Sequence, residues 1–365
     1  MSAGELTLKR SVYAVSAIAD NYAYAKVRHF PCIANIRLVS ACHESCKMFT
    51  KLYKSFYVCC LYNLLIHMYI FVSITVIMKH KIIAFGEIVW DMLPAGKQIG
   101  GAPLNFAFFA NTPQAQSYVI SAIGNDPLGD ETLRILESTG VGLSCVQRND
   151  FPTSKVLIDV DENGCPEYEI VEGVAWDAIE PLSDALEHVK DASVFCWGSL
   201  AQRNQTSRQT LMTLLKSLPT DCLKVFDINI RQSYFSREII QTSLEHSDVL
   251  KLNEDELPLV AQMLDMAGDE SEIISTIIER YALKYLIYTH GADFSEVYAA
   301  DGRMSHIPTP KVEVKDTVGA GDSFTASFVS SILEGATLEQ SHARAVEVSA
   351  SVCTKNGAID IYAEE

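Results

Sequence analysis

From residue 82 onward, short runs rich in β-branched and aromatic residues alternate with stretches whose apolar positions recur every three or four residues. Residues 82–85, 118–123, 194–197, 224–226, 249–252 and 285–288 have the length and composition of buried strands. Between them, residues 128–139, 208–218, 256–266 and 272–281 have helical spacing, the first stopped by Gly140. This alternation predicts βαβ units: an α/β fold with a doubly wound, mostly parallel sheet flanked by helices. One segment departs from it, since residues 154–171 read as two strands around an Asn163-Gly164 turn. A hairpin must bury its apolar face against something, which predicts a small β-strand lid, about 154–174, beside the main sheet.

The stretch before residue 78 does not match the rest. Residues 56–78 carry no formal charge and are long enough to cross a bilayer as a helix. Yet Met78-Lys79-His80-Lys81 runs directly into the first strand, leaving no linker to clear the headgroups. Met78 with its short basic lead also makes a natural start. Residues 1–77 are therefore read as a leader or mis-assigned N-terminal extension and 78–365 as the folded domain, with targeting or anchoring through residues 1–78 as the alternative.

Charge sharpens the division. Residues 1–77 hold eight Lys/Arg against three Asp/Glu, +5, so within the chain's total of −17 the remainder carries −22. A body so acidic repels nucleic acid and anionic membranes. Hydrophobic residues at 48% and charged residues at 21% are ordinary for a globular chain, so neither disorder nor a fibrous class is indicated. Five of the ten cysteines, 145, 165, 196, 222 and 353, fall in 78–365 without a CxxC pair. They read as thiols of a reducing, cytoplasmic compartment, not as a zinc site or disulfide framework.

The chemistry concentrates in Asp316-Thr-Val-Gly-Ala-Gly-Asp322, followed by an apolar helix. The small residues Gly319, Ala320 and Gly321 can turn bare amides toward an anion at a helix N-terminus, where the dipole favours negative charge. Asp322 in the first turn then stands beside the bound group as a general base, a role typically contributing ~10²–10⁴ in rate. A plain glycine turn with Asp322 as helix cap explains the same letters. No Gly-Lys-Ser/Thr follows, so this is no Walker loop, and Phe324 replaces the third glycine of a dinucleotide fingerprint. A second set is Asp91, placed just past the end of the first strand, with Gly100, Gly101 and Asn105, whose donors and acceptors suit sugar hydroxyls.

The run DTVGAGDSFTASF resembles the C-terminal signature of the PfkB, or ribokinase-like, family of carbohydrate kinases, with Ser327 where that family has Ala or Gly. Gly-Gly-Ala-Pro-Leu-Asn105 resembles its N-terminal signature in the form its fructokinases carry. Three further segments follow in family order. Asp227-Ile-Asn-Ile-Arg231 is similar to a strand-end run that approaches phosphates and sugar, and Lys251-Leu-Asn-Glu-Asp-Glu256 to an Asn-x-x-Glu motif. Thr289-His-Gly291 is similar to a nucleotide loop, with Phe294 in place of its last glycine, and Asn356-Gly-Ala358 to the turn on the adenine side.

The resemblance spans residues 82–360 and implies a ribokinase-like fold. It implies an ATP-dependent kinase acting on a primary hydroxyl of a monosaccharide, with fructose yielding fructose 6-phosphate the favoured case. Asp322 and the 319–321 amides would be catalytic, and Asp91, Gly100, Gly101, Asn105 and Arg231 would hold the sugar. Asn253, Thr289, Gly291, Gly321 and Asn356 would face ATP. Glu256 would support Mg²⁺ through water, and Asp316 would ligate a monovalent cation such as K⁺. Small-molecule sugar and ATP are the expected partners, and a homodimer stays open. The alternatives are a kinase for ribose, 2-keto-3-deoxygluconate or adenosine, or a sugar-binding regulator without catalysis, against which Asp322 and Glu256 argue. Trp176, beyond the hairpin, is expected to pack and not to stack on sugar.

Overall fold

The computed structural model describes residues 80–93, 96–160 and 166–359, which lie in one compact unit, Val76–Glu365. The expectations for residues 1–77, for the start at Met78 and for the Asn163-Gly164 turn lie outside the described residues.

In chain order the strands are β1 (His80–Phe85), β2 (Val89–Leu93), β3 (Gly96–Gly100), β4 (Ala115–Gly124), β5 (Val146–Asn149), β6 (Lys155–Val160), β7 (Pro166–Ile170), β8 (Val194–Gly198), β9 (Leu223–Asp227), β10 (Val249–Asn253), β11 (Tyr285–His290), β12 (Phe294–Ala299) and β13 (Met304–Pro308). Nine of them form one sheet in the order β13-β12-β11-β10-β9-β8-β1-β4-β5. From β11 to β5 every neighbouring pair is parallel, and β12 and β13 close the far edge antiparallel. The expected doubly wound, mostly parallel sheet is therefore present.

Both faces of this sheet are covered, which is why its central strands read as unbroken apolar runs. Along β1, Ile83 and Phe85 enter the core on one face with Phe195, Trp197 and Phe226. Ile82 and Ala84 enter the opposite core with Val194, Val225 and Phe328. The helices are α1 (Ala102–Ala110), α2 (Pro127–Leu136), α3 (Ser183–Val189), α4 (Gln205–Leu215), α5 (Arg237–His246), α6 (Glu256–Met263), α7 (Glu270–Tyr281), α8 (Ala320–Leu333) and α9 (Leu338–Val352). Apolar residues of α1, α8 and α9 fill the second core, and those of α4 to α7 the first.

Helix ends moved from their expected places where capping decides them. Asn204 accepts from the Thr206 amide at 2.9 Å, so α4 begins earlier than expected. Asp269 and Glu272 form a reciprocal capping box that starts α7. Gly140, at φ 76°, stops the turn that follows α2, as its position suggested.

A separate four-stranded sheet has the order β3-β2-β6-β7. The expected hairpin is its β6–β7 half, with Val156 opposite Ile170. The β2–β3 hairpin was not foreseen, because Trp90-Asp-Met is short and Gly96-Lys-Gln is polar. At the exit of β7, the buried Arg203 and Asp177 pair at 2.7 Å, and Arg203 also donates to the Val171 carbonyl at 2.7 Å. The Arg203 guanidinium lies 4.0 Å from the ring centre of Trp176, which is fully buried, so Trp176 packs as expected.

The order of connections locates a binding crevice. After β1 the chain builds β4 and β5 on one side, then returns with β8 on the other. Open α/β sheets bind ligands outside the carboxyl ends of strands at such a reversal.

Candidate active site

Three segments converge beyond the carboxyl ends of β1, β8, β9 and β10. The first is the start of α8. Gly319 is its N-cap at φ 78°, and a Cβ there would stand 2.3 Å from that of Ala358, so only glycine fits. The Ala320 amide donates to the Thr317 carbonyl at 3.2 Å. The amides of Gly319, Gly321 and Asp322 have no partner among the described residues. An anion at this helix end would therefore meet those three, and Ala320 contributes shape.

Asp322 does not cap the helix, which carries no side-chain cap. Its Oδ2 accepts from Asn105 Nδ2 at 2.8 Å, across 217 positions of sequence. Burial raises the pKa of its carboxyl, while the Asn105 bond, Lys251 and Arg231 pull it back.

The second segment is the turn from β3 into α1. Gly101 is the N-cap at φ 113°, and a Cβ on it would lie 2.4 Å from the Glu87 carbonyl oxygen. Asn105 sits in the first turn, buried, and its Oδ1 has no hydrogen-bond partner among the described residues. A Cβ on Gly100 would lie 3.6 Å from Asp91 Oδ2 and 4.0 Å from Asn105 Oδ1. Asp91, Gly100 and Asn105 thus enclose one space beside Asp322.

Asp91, expected just past the end of β1, lies inside the next strand, β2, opposite Gln98 of β3 and Val156 of β6. The small sheet, not the main one, therefore presents this carboxylate. Burial raises its pKa, Asp316 adds to the rise, and Arg231 opposes it. Arg231 is exposed and donates to the Ile230 carbonyl at 3.0 Å.

The third segment joins the ends of β9, β10 and β11. Lys251 and Asp227 lie side by side on adjacent strands and pair at 3.2 Å, both buried. Glu256 accepts from the Ile230 amide through Oε1 and the Asn253 amide through Oε2, each at 2.9 Å. Asn253 Oδ1 accepts from the amides of Asp255 and Glu256, so its side chain shapes the start of α6.

Thr289 neighbours Asn253 across the strands, and its carbonyl accepts from the Glu254 amide at 3.1 Å. Gly291 follows at φ 41°. Phe294, the departure from the nucleotide-loop pattern, opens β12 opposite His290 and stacks on it at 4.8 Å, which closes a tight hairpin between β11 and β12. Asn253, Thr289 and Gly291 form a cluster of their own along these strand ends.

Asp316 and the 356–358 turn tie the segments together. Asp316 accepts from the Val318 and Gly357 amides, each at 3.0 Å. A Cβ on Gly357 would lie 2.7 Å from Gln98 Oε1 of the small sheet. The turn therefore touches the anion-binding loop and β3, while Asn356 is exposed.

Metal fit follows from these partners. Among the described residues no three His, Cys, Asp or Glu side chains converge into a cage. Magnesium bound mainly by phosphates and water needs only one or two carboxylates nearby, and Glu256 is so placed. Each oxygen of Asp316 accepts one amide and keeps a second lone pair, as each oxygen of Glu256 does, so these bonds are compatible with a monovalent cation at that carboxylate.

Two further buried groups, Glu87 and Lys251, border the site. Glu87, between β1 and β2, is 3% exposed, with Oε2 unpartnered. Burial pushes its carboxyl up to about 7, with the Asp322 charge adding and Arg231 opposing. An acid within an apolar run was the available signal. Lys251 opens the Lys251-Leu-Asn-Glu-Asp-Glu256 motif, whose resemblance implied no role for it.

A family model described as pfkB family carbohydrate kinase matches residues 71–364. The fructokinase of Salmonella typhimurium is 28% identical over 274 residues, 70% of this chain and 85% of that protein. A 5-dehydro-2-deoxygluconokinase 2 of Bacillus cereus is 22% identical, covering 67% of this chain and 76% of that one. The crystal structure of fructokinase with bound ATP from Xylella fastidiosa superimposes with a TM-score of 0.66 at 21% identity. That match covers 76% of this chain and 93% of the other, and at such identity it establishes the ribokinase-like fold alone.

Proposed function

The chain belongs to the pfkB family of carbohydrate kinases, and from that premise we propose that it transfers the γ-phosphoryl group of ATP to a primary hydroxyl of a monosaccharide, fructose at its 6-hydroxyl being preferred. The observation that carries this reading is Asp322 held by Asn105 at 2.8 Å beside unpaired amides at the start of α8. An attacking hydroxyl enclosed by Asp91, Gly100 and Asn105 would give its proton to Asp322. The amides of Gly319, Gly321 and Asp322 would meet the charge on the transferring group. Asn105 Oδ1, unpartnered, would accept from an acceptor hydroxyl while Nδ2 holds the base. Asn253, Thr289 and Gly291 would face the nucleotide, with Asn356 at its edge.

Mg²⁺ on the phosphates would neutralise their charge, with Glu256 supporting it through water. K⁺ enters as a dependence to be measured, and no step is routed through it. The small sheet would act as a lid over the sugar, excluding water.

The test is a panel of acceptors with coupled ADP detection, containing fructose, ribose, 2-keto-3-deoxygluconate and adenosine. Fructose should have the highest kcat/KM. A higher value for another acceptor would replace the substrate but keep the reaction, whereas no turnover of any would overturn the reading and favour a sugar-binding regulator. Residues 78–365 alone should reproduce the activity of the full chain, which makes 1–77 dispensable for the chemistry.

A further inference from the structure

Lys251 lies behind the anion-binding turn. It is 6% exposed, and a Cβ on Gly321 would stand 3.1 Å from its Nζ, so the ammonium sits against the backbone that carries the free amides. Among the described residues its ammonium donates one hydrogen bond, to Asp227 Oδ1 at 3.2 Å. A surface lysine would keep its ammonium in water, and burying one costs several kcal/mol unless the surroundings repay it. Burial alone would lower its pKa, but the charges of Asp227, Glu256 and Asp322 hold it well above the usual lysine value. The ammonium is thus charged at every working pH.

We infer that Lys251 is a positioning residue that keeps Asp322 ionised as the base and places a fixed positive charge behind the anion-binding amides. The role rests on the proposed part of Asp322 in the reaction. Lys251 and Arg231 favour its ionised form. Glu87 feels the charge of Asp322 and is itself raised to about 7, chiefly by burial. Asp227 is pushed up to about 6 by burial, with Lys251 opposing and Glu256 and Asp322 adding to the rise. The Cys196 thiol is raised well above its ordinary value, chiefly by burial, and stays uncharged. Lys251 is the buried cation among these, and Arg231 is exposed to solvent screening.

The sign is fixed. Removing a cation that favours a carboxylate raises the pKa of that carboxylate, and a partner within ~4–6 Å shifts it by ~1–3 units. In Lys251→Met the Asp322 titration should therefore move up by about 1 unit. The measurement is the carboxyl resonance of Asp322 in the full chain labelled with carboxyl-carbon-13 aspartate, assigned by its loss in Asp322→Asn. This needs no turnover, so failure of the proposed function would show separately in the acceptor panel.

Lys251→Met leaves Asp227 buried without its partner, so Lys251→Met/Asp227→Asn, a neutral pair, is titrated beside it. Lys251→Arg, which keeps the charge, should leave the midpoint in place. With the best acceptor of the panel, the acidic limb of kcat should follow the same shift. Both methionine variants would then lose about 10-fold more activity one unit below the limb than above it. An unmoved Asp322 midpoint in the neutral pair, or a loss equal at all pH values, would overturn the inference.

Discussion

The two sheets carry the candidate site in different ways. The nine-stranded sheet presents Asp322, Lys251 and Asp227 from a helix start and strand ends fixed by Gly319 at φ 78° and a buried ion pair at 3.2 Å, while Asn105 reaches Asp322 from the turn that leaves β3 of the small sheet. The four-stranded sheet contributes Asp91, on a strand whose partner β6 exposes Leu157 to solvent. Groups that handle charge in phosphoryl transfer need sub-ångström placement, whereas a group that recognises a hydroxyl tolerates more freedom. On this account the reaction is set by the large sheet and the choice of acceptor by the small one.

The comparison can be broken from either side. Away from Asp322 itself, the largest effect is expected at Gly319. Alanine there must adopt φ 78° and press on Ala358, so kcat should fall about 100-fold. Steady-state kinetics should show that fall for every acceptor alike. Asp91→Ala should instead act on recognition, raising the acceptor KM by about 10–100-fold and reordering the panel while kcat changes less. A uniform loss of kcat with acceptor ranking intact would place Asp91 with the reaction machinery and dissolve the division.

The smallest effect concerns Glu87, where the two sheets join. Its pKa is raised from an ordinary 4.5 to about 7 in the folded chain. A carboxyl raised on folding binds its proton better in the native state, so its contribution is complete below the unfolded pKa. It is lost as pH rises through about 7. Thermal unfolding should show wild type losing stability between those values relative to Glu87→Gln, with Tm differing by a few degrees. Parallel Tm profiles for the two proteins would remove Glu87 from the linkage.

The legible parts of this molecule were those fixed by short-range patterns. Strands buried on both faces, such as Val194–Gly198, announce themselves as apolar runs, and the 316–322 turn announces its glycines. The hidden parts depend on distant partners. β12 and β13 mix polar and apolar positions at the sheet edge and resemble loops until paired. The strand that carries Asp91 was not foreseen, because it is completed by β6, far along the chain. Glu87 left one local trace, an acid within an apolar run, whereas Lys251 gained meaning only from its burial against Asp227. Asn105 and Asp322 were each singled out, but the bond joining them spans 217 positions and belongs to the fold.

The central claim is that Asp322 takes the proton of the attacking hydroxyl, and comparing kcat and acceptor KM of wild type and Asp322→Asn tests it most directly. Asparagine keeps the size and a hydrogen bond to Asn105 while removing the base. The account predicts kcat lower by ~10²–10⁴ with acceptor KM changed only slightly. A variant that retained wild-type kcat would contradict it.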